Sequence, residues 1–151
     1  MAAGNFKFYH MAKEYLCDAT IDLDGDTFDL HLFTSGSDFA TATNSTLAGL
    51  SGEVASGNGY ALAGRQLTPT WATGASASER RFDASDLVIT ASGGTIADIK
   101  GAVVVARTGA SAEDPANKLL CYASLTSGQF SLTDTNTLTI QFAAGGLFEL
   151  N

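Results

Sequence analysis

Thr27-Phe28-Asp29-Leu30-His31-Leu32-Phe33-Thr34 is the stretch that decides the fold. Phe28, Leu30 and Leu32 alternate with Asp29, His31 and Phe33, and a period of two is the mark of a strand with one face on a core. The alternation predicts a half-buried strand with His31 on its outer face. Asp24-Gly25 supplies a tight turn just before it. Upstream of the turn the period becomes helical. Phe6, Tyr9, Lys13 and Leu16 fall on one face, extended by Phe8, Met11 and Tyr15. A helix is expected over residues 6–19, capped by Asn5, behind a flexible arm at residues 1–5. Its aromatic rings have two readings: they seal one end of the core, or some of them dock on a partner.

Downstream, residues 35–57 are rich in Ser, Thr, Ala, Gly and Asn, with Leu47, Leu50 and Val54 as apolar anchors. A long ordered loop with one helical turn fits this composition, and loops of that length carry contacts. Asn58-Gly59 reads as a turn into residues 60–67. Pro69 then marks Thr68-Pro69-Thr70-Trp71 as an edge strand, because proline cannot donate to a ladder. Strands are expected at 86–90, 99–108, 119–125, 135–142 and 147–150. Ala102-Val103-Val104-Val105-Ala106 reads as a central strand buried on both faces. Ser92-Gly93-Gly94-Thr95, Glu113-Asp114-Pro115-Ala116-Asn117 and Gly145-Gly146 are the turns between them. Short strands at this spacing define the expected class: mainly β, an antiparallel β-sandwich (jelly-roll-like) with one short N-terminal α-helix, as a single domain over residues 1–151.

Composition narrows the function classes. The chain is 45% hydrophobic and only 16% charged, which excludes the disordered class. A chain of 151 residues buries roughly 70% of its unfolded surface, so a core forms without a disulfide or metal. The net charge of −8 argues against nucleic acid and against an anionic membrane as partners. Arg80-Arg81 is the longest basic cluster, too short for a phosphate track. No apolar run is long enough to span a bilayer, and the N-terminus lacks a signal-peptide pattern, so a protein used without secretion is expected. Cys17 and Cys121 sit in unrelated contexts and read as separate reduced thiols.

Residues that could carry chemistry are few. The histidines are His10 and His31, and no G-x-S-x-G elbow surrounds a serine. Asp22, Asp24 and Asp26 have the alternate spacing of the first ligands of a calcium loop. That loop needs Gly at its sixth position and Glu at its twelfth, where this chain has Thr27 and Phe33, so a solvated acidic turn is expected instead. Gly57-Asn58-Gly59 lacks the G-K-[ST] ending of a phosphate loop. Neither a cofactor nor a catalytic set is expected.

In order along the chain stand the helical segment running into Ile21-Asp22-Leu23-Asp24-Gly25-Asp26-Thr27-Phe28-Asp29-Leu30-His31-Leu32, then Ser56-Gly57-Asn58-Gly59-Tyr60 with Gly64-Arg65-Gln66-Leu67. Residues 82–96 (FDASDLVITASGGTI) and the Ala102 to Ala106 run follow. On these features the chain resembles small structural proteins of tailed bacteriophage virions, of the kind found as capsid decoration (cement) proteins. The resemblance implies a β-sandwich present in many copies per particle, without catalysis, in a virion assembled in the host cytoplasm. Its implied partners are the major capsid protein or another virion protein, and itself as a trimer or other homo-oligomer. The candidate contact residues are Phe6, Phe8, Tyr9, Arg80 and Arg81, with the 35–57 loop. A neck, tail or fibre-base component is an alternative in the same class. A glycan- or host-surface-binding module, with Trp71 and Tyr60 as its aromatic platform, is the alternative of another class.

Overall fold

The computed structural model describes residues 6–73, 76, 78–143 and 145–150. It is mainly β, every strand pairing is antiparallel, and one short α-helix is present among these residues. The elements are β1 (Lys7–Phe8), α1 (His10–Cys17), β2 (Phe28–Thr34), a 3-10 turn (Leu47–Gly49), β3 (Arg65–Gln66), β4 (Pro69–Thr73) and β5 (Arg80–Ala84). They continue with β6 (Leu87–Thr90), β7 (Ile96–Ala106), β8 (Lys118–Ser124), β9 (Phe130–Leu132), β10 (Thr137–Ile140) and β11 (Phe148–Leu150).

The largest sheet has the order β1-β8-β7-β2-β3, with β9 on the first part of β7. Smaller sheets, β11-β5-β4 and β10-β6, complete an open sandwich. The layers meet where Phe28 of β2 packs edge-on against Phe82 of β5, ring centroids 5.2 Å apart. Ile89, Leu138 and Ile140 of the two-stranded sheet join the same core. Ala102 to Ala106 of β7 are fully buried, as expected of a central strand. Full burial of an aliphatic side chain contributes about 1.5–3 kcal/mol, so the β2–β7–β8 triplet is the main stabilising unit.

Two expectations need correction. The helix starts at His10, not Phe6, because Lys7 and Phe8 pair with Tyr122 and Cys121 as an added strand. Tyr9, extended at φ −68° and ψ 153°, is the residue before the first helical turn. The helix ends at Cys17, with Asp18 N–H closing on Glu14 C=O and Ala19 left-handed at φ 60°. The expected cap at Asn5 and arm at 1–5 lie outside the described residues.

β2 is also not half-buried: Phe28 through Phe33 are all buried, including Asp29 and His31. Its second face is covered by the 35–57 segment and the turn after Tyr60. Phe39 packs on Phe33 at 6.2 Å between centroids. Val54 N–H bonds to Leu32 C=O, and a Cβ on Gly64 would lie 3.0 Å from the His31 ring. The alternation therefore sorts two packed faces, an apolar one toward the sandwich and a mixed one under the loops. β9 was not anticipated, and of residues 60–67 only Arg65–Gln66 pair as strand.

Candidate functional site

The buried polar groups mostly hold loops onto the β body. Asp29, 1% exposed, takes a bidentate hydrogen bond from Arg107 at 2.7 and 2.9 Å, and this bonding raises the guanidinium further above its ordinary range. Asn117 is fully buried and spans the 109–117 turn. Its Oδ1 accepts from Gly109 N–H at 2.8 Å, and its Nδ2 donates to Ser111 and Ala112 carbonyls. Asp114 accepts from the amides of Ala116 and Ala110, which lowers its carboxyl.

The densest polar constellation joins β2 to the long loop. Glu53 Oε1 accepts from His31 Nδ1 and from the Tyr60 hydroxyl, both at 2.9 Å. The same hydroxyl accepts from Leu32 N–H at 2.9 Å. A carboxylate oxygen only accepts, so His31 Nδ1 is the donor in this contact. Burial, then the Glu53 charge, pushes the Tyr60 phenol up. Histidine and carboxylate do come together here, but His31 is fully buried and its Nε2 has no partner among the described residues. The network ties β2 to the long loop, and among the described residues no serine or cysteine shares a hydrogen bond with it. His31 on an outer face is thereby corrected: the loop closes over that face.

The 35–57 segment is held in one shape by its own side chains. Asp38 Oδ1 accepts from Ser51 N–H at 2.8 Å and from Ser51 Oγ at 3.0 Å, bonding that lowers the Asp38 carboxyl. Leu47 N–H and Ala48 N–H bond to Asn117 and Pro115 carbonyls. The segment borders a surface depression of about 270 Å³ lined by Leu47, Ala48, Glu53, Leu62, Glu113 and Pro115. Leu62 is 40% exposed there, so the lining combines apolar surface with two carboxylates.

The expected contact residues divide. Phe6 is half-buried, lies tilted against Phe142 at 5.8 Å between centroids and lines a second depression, of about 370 Å³, with Ala143 and residues 145–149. Phe8 packs on Phe148 at 4.6 Å. Arg80 and Arg81 pair across the ladder with Leu150 and Glu149 of β11, and Arg81 lies 3.9 Å from Asp83. Four of the five therefore gather around β11, from distant parts of the sequence. Tyr9 is a correction. It is fully buried, packed on Tyr122 at 4.8 Å, and its hydroxyl donates to Phe39 C=O at 2.5 Å, so it belongs to the interior. Burial is also what raises its phenol.

Trp71 is 40% exposed and rests edge-on against Phe82, while Tyr60 is 3% exposed in the clamp. The two do not form the expected aromatic platform. Asp22 and Asp26 spend carboxylate oxygens on backbone amides of their own turn, Asp24 N–H and Asp22 N–H. Among the described residues no group of three or more His, Cys, Asp or Glu side chains is placed to hold a metal ion. Cys17 is exposed and Cys121 buried, both free, and burial pushes the Cys121 thiol up. Glu53, Asn117 and the Asp29–Arg107 pair escaped sequence reasoning. Asn117 read only as part of a polar turn, while His31 lies 22 residues from Glu53 and Arg107 lies 78 residues from Asp29, beyond any local pattern.

No family model matches the chain, and no curated protein or solved structure matches it.

Proposed function

We propose that this protein is a non-enzymatic structural component of a bacteriophage virion, a capsid decoration protein that binds the head shell as a homo-oligomer and stabilises it. The observation that carries the reading is the 35–57 segment. It is irregular in backbone, yet Asp38, Ser51 and the bonds to 115–117 hold it in one conformation at the surface. Such a segment offers preorganised contact area at little ordering cost on binding. The apolar and acidic lining beside it suits an apolar partner surface edged by basic groups. The gathering of Phe6, Phe8, Arg80 and Arg81 around β11 supplies a second, basic and aromatic contact. Two weak contacts made by one rigid body to neighbouring capsid subunits reinforce each other through effective concentration.

The test adds purified protein to heads that lack it and measures the copies that sediment with them. Saturable binding is expected. Leu62→Glu, at an exposed position in the depression, weakens it about tenfold or more, roughly 1.4 kcal/mol. Binding to isolated tails or necks but not to heads would replace the decoration reading with the neck or tail one. No binding to either would remove the virion reading.

A further inference from the structure

β4 is the open edge of the three-stranded sheet. The phase of its ladder fixes what that edge shows. Ser85 N–H donates to Thr68 C=O, so alternation makes Thr70/Asp83 and Ala72/Arg81 the next hydrogen-bonded pairs. The N–H and C=O groups of Trp71 and Thr73 therefore point away from β5. Pro69 agrees with this phase, since its missing N–H falls on the outer side. Among the described residues no hydrogen bond reaches the outward groups of Trp71 and Thr73.

Proteins protect open edges with charge or with covering loops. Here β1 carries Lys7, β3 carries Arg65 and β11 carries Glu149. The edge of β6 is closed at its end by the 58–59 turn, where Asn58 C=O takes Ser92 N–H and Gly59 packs on Thr90 C=O. β9, β10 and β4 (Pro-Thr-Trp-Ala-Thr) have no charged side chain, and of these three β4 is the one that exposes a large apolar side chain, Trp71 at 40%.

We propose that β4 pairs antiparallel with β4 of a second copy of this chain, about a two-fold axis at Ala72, joining two three-stranded sheets into one. The register follows from the phase. Trp71 opposite Thr73 of the second copy, and Thr73 opposite its Trp71, satisfies every outward N–H and C=O of these residues in both chains. Ala72 then meets Ala72 in a non-hydrogen-bonded pair, where Cα atoms approach to about 4.5 Å and a methyl group fits. The exposed part of the Trp71 indole lies beside a β-branched threonine, a favourable cross-strand pair. A register centred on Trp71 sets Thr73 against Pro69, which has no N–H to give. The uncharged, self-complementary edge is what selects a second copy as occupant. The pairing rests on the homo-oligomer of the proposed function but not on what the protein docks on, so its failure leaves binding to heads standing.

Sedimentation equilibrium of the full chain, at about 0.15 M salt where charge repulsion between copies is largely screened, tests it. A monomer–dimer equilibrium is expected. Thr73→Pro removes an N–H that the chain does not use internally, and Ala72→Lys sets two like charges across the axis. Each raises the dimer dissociation constant about tenfold or more while the circular dichroism spectrum stays unchanged. If Thr73→Pro does not fold, Ala72→Lys alone decides, since it leaves the backbone intact. A chain monomeric up to millimolar concentration, or a dimer that Ala72→Lys leaves unweakened, overturns the pairing.

Discussion

Glu53 Oε1 serves two buried donors at once, His31 Nδ1 and the Tyr60 hydroxyl, and so ties the long loop to β2. Removing that acceptor leaves both donors unpaired, and each unsatisfied buried group costs about 1–3 kcal/mol. Glu53→Ala is therefore expected to lower stability by roughly 2–4 kcal/mol in urea unfolding. Glu53→Gln keeps a carbonyl oxygen in place and should lose less than half as much. Equal losses for the two variants would show that the clamp works through charge rather than through acceptance. His31 itself was visible in the sequence only as a polar residue in a strand. Its burial depends on Gly64 and Glu53, which no local period connects to it.

At the scale of elements, the strand vocabulary was legible: β2, β7, β8 and β10 fall where alternation or a β-branched run placed them. What local pattern could not show was the cover on β2. Asp29, His31 and Phe33 alternate as an outer face does, and tertiary partners reverse their exposure. The same limit explains residues 6–8. Their spacing fits a helix, yet an available edge on β8 takes Lys7 and Phe8 as strand. Phe39 shows how closely the cover fits. It seats its ring against Gly101 of β7, where a Cβ would overlap the ring. Gly101→Ala should cost about 1–3 kcal/mol by overpacking, read as a fall in thermal midpoint. Combining it with Phe39→Leu should recover part of the loss, because neighbours in contact are not additive. An additive pair of losses would mean that the ring is not what fills the space above Gly101.

For the whole molecule, an open antiparallel sandwich was readable from strand spacing and turns, while the way the candidate contact residues come together was not. Phe6, Phe8, Arg80 and Arg81 come near β11 because it returns to pair with β5 and its Phe148 packs on Phe8. The loop depression exists because residues 47 and 48 bond to residues 115–117. Both are long-range consequences of topology. Under the proposed function they are the two contact regions by which one body bridges neighbouring subunits. Electron microscopy of the assembled particle tests this most directly. Docking on the head shell predicts density of this fold at regular positions on the shell exterior, with the 35–57 segment at the contact. Density at the neck or tail instead, or a shell exterior bare of this fold, would contradict it.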